Sequence, residues 1–155
     1  MPSRYLIFKF IHVLGVVVLL GNVTVTAVWK VFADRTRDAR VVAFAQRLVI
    51  GTDYAFTLGG IILIVVGGYG MGWTGGVSLA TGWILWGQVL FLVSGLIWAV
   101  FLLPIQATQS SLAKDFGRLD QIPGRYQMLG RRWLIMGIVA TIPLVAAMYF
   151  MIVKP

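Results

Sequence analysis

Four long apolar runs, separated by polar stretches, dominate the pattern of hydrophobic and polar positions. The first covers about Tyr5 to Phe32 and the second about Tyr54 to Trp73. The third runs from about Leu79 to Ile105 and the fourth from about Trp133 to Val153. Each reaches the roughly 20 residues that cross a hydrocarbon core of about 30 Å. A spanning segment must satisfy its own backbone, which an α-helix does without a partner strand. The pattern therefore predicts an all-α, four-helix transmembrane bundle, with residues 1–155 forming a single integral membrane domain.

A second pattern is written inside the first run. His12, Gly15, Asn22, Thr26 and Trp29 fall within roughly a 100° arc of one helix face. The second run carries its own small and polar face: Asp53, Thr57, Gly60, Gly67 and Met71. The third carries Gln88, Gly95, Trp98 and Gln106. Polar strips in a bilayer are costly unless they face protein, a cofactor or water. Small residues also let another helix approach closely. These faces predict either simple bundle packing or a lined cavity, with the glycines of the second and third runs turned toward other helices.

Composition supports the membrane assignment: 59% of the residues are hydrophobic and the mean hydropathy is +0.91, more than a soluble domain of this size can hide. There are no cysteines, which excludes disulfides, iron–sulfur clusters, thiolate metal sites and a cysteine nucleophile. The net charge of +8 does not indicate nucleic acid, because the basic residues cluster beside apolar spans. Anionic lipid head groups on the cytoplasmic side are the expected partner.

The charges also predict an orientation. The first connection carries Lys30, Arg35, Arg37, Arg40 and Arg47; the third carries Lys114, Arg118, Arg125, Arg131 and Arg132. The second, around Gly75 and Gly76, carries none, and the ends contribute Arg4, Lys9 and Lys154. The positive-inside rule places the first and third connections in the cytoplasm and both termini outside. Residues Asp34 to Gly51 read as a short amphipathic surface helix with Asp34 as its N-cap. Pro123-Gly124 marks a turn, and Pro143 is expected to bend the fourth helix.

His12 is the only histidine. It is read as a haem or metal ligand, as a proton-relay or quinone contact, or as an interhelical hydrogen-bonding residue. A haem there would take its second axial ligand from a homodimer partner or a methionine, or be five-coordinate. Asn22 and Thr26 would lie further along the stripe, Trp98 beside the ring, and Lys9 near a propionate or quinone oxygen. Lys9 alone reads as a snorkelling lysine. Asp53 is expected at the cytoplasmic rim, paired with Arg47 or Arg131, with proton uptake as the sharper alternative. Gly70, Gly72 and Gly75 spell G-x-G-x-x-G, but they follow a transmembrane helix and not a strand, so they mark a turn.

Several short motifs carry a family resemblance. They are Lys9-Phe10-Ile11-His12-Val13-Leu14-Gly15, Asp53-Tyr54-Ala55-Phe56-Thr57, Leu103-Pro104, Ile122-Pro123-Gly124-Arg125-Tyr126, Arg132-Trp133 and Met151-Ile152-Val153-Lys154-Pro155. Together they resemble the bacterial membrane family called domain of unknown function 2269, over nearly the whole chain. More distantly the chain is similar to HemJ-type protoporphyrinogen oxidases, which carry haem, and to CopD copper-resistance proteins. After His12 it has Gly21-Asn22-Val23-Thr24 in place of the HemJ leucine-proline-arginine signature, a departure that argues against porphyrinogen oxidation.

The resemblance implies a protein of the bacterial cytoplasmic (inner) membrane with haem b at His12 and a redox or electron-transfer role, working as an oxidoreductase or with a redox partner. The alternative is a non-catalytic small membrane subunit or a transporter-like protein without a cofactor.

Overall fold

The computed structural model describes residues 3–116 and 121–155. All secondary structure among them is helical, in four long helices: α1 (Arg4–Thr36), α2 (Ala39–Gly75), α3 (Gly82–Lys114) and α4 (Gly124–Val153). Each is long and apolar enough to cross a membrane. Arg118, counted among the basic residues of the third connection, lies outside the described residues.

Sequence chemistry sets the helix ends. Ser3 accepts from the Leu6 amide at the start of α1. Arg37 takes a left-handed conformation, φ 55°, between α1 and α2. Asp38 then caps α2, its Oδ1 accepting from the amides of Arg40 (2.8 Å) and Val41 (3.2 Å). Gly76, φ +64°, ends α2 where a side chain would be strained. Pro123 immediately precedes α4, which continues as one helix through Pro143.

Two expectations about this region are corrected. Asp38, and not Asp34, is the cap; Asp34 lies within α1. The amphipathic stretch is not a separate surface helix either. Ala39–Thr52 runs straight into the second apolar run through a π-helical turn at Asp53–Thr57. Its apolar side, Val42, Ala43, Ala45 and Val49, is buried in the protein, while Arg40 and Arg47 point outward. Amphipathicity looks the same whether the apolar face meets lipid or other helices.

The helices pair as two hairpins, α1 with α2 and α3 with α4. Glycine allows the first pairing to be close. A Cβ added at Gly15 would lie 2.7 Å from the Ile64 nitrogen, and one at Gly67 would collide with the His12 backbone. A Cβ added at Gly60 would similarly lie 3.0 Å from Leu19 Cβ. Gly95, expected on a packed face, has nothing within 4 Å of an added Cβ.

The hairpins join through the halves nearest the α1–α2 turn. Two clusters hold them there: Val42, Ala43, Ala113, Phe116 and Tyr126, and Val49, Leu102, Trp133 and Ala140. Further out, the backbones of the hairpins stay apart among the described residues. A side-chain bond from Tyr69 to Gln88, 3.2 Å, links them.

The lysines frame the charge-free stretch of α1. Lys9 and Lys30 are 21 residues apart in α1, or about 32 Å at 1.5 Å per residue, close to the hydrocarbon thickness. The bundle continues past Lys30 toward the α1–α2 turn, here called the charged end.

Candidate functional site

Within that frame, a polar network fills the bundle interior. Asp53 is its centre. It begins the π-helical turn of α2, and such turns recur at functional sites. A second π-helical turn, Trp98–Leu102, interrupts α3 just before Gln106.

Asp53 is 8% exposed and accepts from three side chains on three helical segments. Asn22 Nδ2 of α1 donates to Oδ1 at 3.3 Å, and Thr57 Oγ1 donates to the same oxygen at 2.9 Å. Gln106 Nε2 of α3 donates to Oδ2 at 2.6 Å. Asn22 Nδ2 also reaches Thr57 Oγ1 at 2.9 Å, and Thr26 Oγ1 donates to Asn22 Oδ1 at 3.1 Å. Asp53 was expected at the rim beside Arg47 or Arg131. Among the described residues it pairs with no cation. Asn22, at its level, is 8 residues from Lys30, about 12 Å along the helix inside that frame. The error came from starting the second helix at Tyr54 instead of Ala39.

A second polar group lies at the charged end. Lys30, with its side chain 1% exposed, donates to both oxygens of Asp34, at 2.8 and 2.6 Å, one turn along α1. It also donates to Tyr126 Oη of α4 at 2.9 Å. Tyr126 Oη donates in turn to Gln46 Oε1 of α2 at 3.1 Å. Gln46 Nε2 faces the Gln106 carbonyl at 3.5 Å, so the two groups are contiguous. The Asp34 side chain is 32% exposed and opens the string to water.

The residues anticipated as one site are not together. Asn22 and Thr26 belong to the Asp53 network. Lys9 is exposed at the opposite end. Trp98 packs beside Val49, Leu102, Trp133 and Ala140, in the half of the bundle toward the charged end. His12 is half-buried between α1 and α2; its Nδ1 donates to the Ile64 carbonyl at 2.8 Å. Gly67 and Gly68 lie against its backbone and ring.

As a set these residues do not fit a haem. Leu19 is pressed onto Gly60, Trp98 is at another level, and the α1–α2 seam at His12 is closed by glycine contacts. An apolar groove of about 620 Å³, lined by Phe8, Val66, Tyr69, Gly70, Trp73 and Leu79 among others, does not include His12. His12 keeps one trait of a ligand: its Nδ1 is held by a carbonyl.

The sequence pattern places Thr57 and Gln106 on inward faces without giving them a role, marks Tyr126 only within a family motif, and does not single out Gln46 or Gln109. Those three lie in stretches read as connections. Lys30 and Asp34 carried a usable signal, their spacing of four.

No curated protein and no solved structure matches the chain, so the likeness to HemJ and CopD proteins gains no support there. One family model does match, described as a predicted integral membrane protein (DUF2269), and it spans residues 6–155. With nearly the whole length covered and four helices of membrane-crossing length, the chain belongs to this family of integral membrane proteins.

Proposed function

We propose that this protein is a transporter-like membrane protein that handles protons, with Asp53 as the group that takes up and releases them. The carrying observation is the carboxylate of Asp53, buried inside the bundle and, among the described residues, paired with no cation. An ionisable residue at such depth is costly and is a functional-site candidate by default.

The neighbours favour a proton over a metal cation. Asn22, Thr57 and Gln106 all aim hydrogens at Asp53. A metal ion would need oxygen acceptors converging there. Protonation turns the carboxylate into a donor, and the Thr57 hydroxyl can rotate to accept from it. The string Gln106, Gln46, Tyr126, Lys30 and Asp34 offers a polar route toward the charged end. By the basic-residue asymmetry that end faces the cytoplasm.

His12 acts in this scheme as a clasp between α1 and α2, and a haem b with electron transfer is not required. The direct test uses proteoliposomes holding a pH-sensitive dye and an imposed pH gradient. Wild type should dissipate the gradient faster than empty vesicles, and Asp53→Asn should lose most of that excess. Equal rates for wild type and Asp53→Asn would remove Asp53 from any proton route.

A further inference from the structure

Gln109 of α3 is wholly buried, at 0% exposure. Among the described residues neither its Nε2 nor its Oε1 has a hydrogen-bond partner. Such an orphaned amide is expensive unless something completes it. The space beside it is defined by a glycine. A Cβ built on Gly130 of α4 would lie 3.4 Å from Asp34 Oδ2 and 3.5 Å from Gln109 Nε2. One point is therefore nearly equidistant from an amide on α3 and a carboxylate on α1. A water oxygen keeps about 3.3 Å from a Cα, so it would sit beyond that point, on the side of the amide and the carboxylate.

Gly130 is not demanded by the backbone, since its φ is not positive and it lies inside α4. In a helix interior glycine is a poor choice. The missing side chain keeps the space open.

We infer that an internal water molecule is bound over Gly130, bridging Gln109 to Asp34. The chemistry selects a neutral guest. Lys30 already neutralises Asp34, so a cation would meet the lysine charge and an anion the carboxylate. A water accepts from the amide and donates to the carboxylate, and two polar partners suffice to hold one. The site extends the proton route proposed above, but its test does not depend on protons being moved.

That test compares wild type with Gly130→Ala and Gly130→Ser in nanodiscs. The alanine methyl fits sterically, because 3.4 to 3.5 Å is ordinary van der Waals contact. With the water present, alanine displaces it and strands Gln109, so the melting temperature falls by several degrees despite better helix propensity. Serine places a hydroxyl near the water's position and recovers part of the loss. In the infrared, wild type should show an isolated-water O–H band that shifts in ¹⁸O-labelled water and is absent from Gly130→Ala. Alanine melting at or above wild type, or no such band in wild type, overturns the water site. Neither result bears on whether Asp53 binds a proton. Conversely, a proton-inactive protein with the predicted melting order and band would keep the water and refute the route.

Discussion

Asn22 on the first helix and Asp53 on the second meet inside the bundle, Nδ2 to Oδ1 at 3.3 Å, and among the described residues Asp53 pairs with no cation. That contact sets the vertical register of α1 against α2. The glycine seam on the same pair of helices extends it to Gly67 and His12.

The seam predicts sharply different costs for similar substitutions. Gly67→Ala places a methyl into the His12 backbone and should cost about 1–3 kcal/mol through overpacking. Gly95→Ala meets nothing within 4 Å and should be neutral or slightly stabilising. Melting temperatures in detergent separate them, and equal effects would show that the α1–α2 approach is wrong.

The Lys30–Asp34 pair predicts a second asymmetry. Asp34→Asn leaves the lysine charge buried at 1% exposure, at a cost of roughly 3 kcal/mol. Lys30→Met leaves a carboxylate that is 32% exposed and can turn to water, so its loss should be about 1–2 kcal/mol. Chemical denaturation of both variants checks the order. A Lys30→Met loss larger than the Asp34→Asn loss would contradict the buried placement of Lys30.

His12 is expected to behave as a structural residue. His12→Ala removes the bond to the Ile64 carbonyl and should destabilise by about 1 kcal/mol. Wild type and variant, both expressed with haem precursor, should be equally colourless. A Soret band in wild type that His12→Ala abolishes would instead establish haem ligation.

Both termini should face away from the cytoplasm, given ten basic residues around the α1–α2 and α3–α4 connections against three at the ends. Alkaline phosphatase fused after Pro155 should be active and green fluorescent protein dark. The reverse pattern would invert the bundle and the proposed direction of proton access.

Much of this architecture is legible in the residues, and the failures have physical causes. The four helices follow from the apolar runs, and the stripe through Asn22 and Thr26 correctly marks an inward face of α1. The depth of Asp53 is hidden because Ala39–Thr52 is amphipathic, and amphipathicity does not distinguish lipid from protein as the apolar partner. Gln46, Gln109 and Tyr126 are hidden because their neighbours lie on other helices: Tyr126 meets Lys30 and Gln46, and Gln109 approaches Gly130. Only the packing of all four helices joins them. Trp98 shares a face with Gln88 and Gly95 on the helical wheel, yet a wheel carries no level along the axis relative to His12.

The most direct measurement is pH-difference infrared spectroscopy of the protein in nanodiscs, comparing wild type, Asp53→Asn and Asp34→Asn. The account predicts a reversible protonated-carboxyl band in wild type that shifts on deuteration, is absent from Asp53→Asn and persists in Asp34→Asn. Identical pH-difference spectra from wild type and Asp53→Asn would show that Asp53 does not exchange a proton, and the central claim would fail.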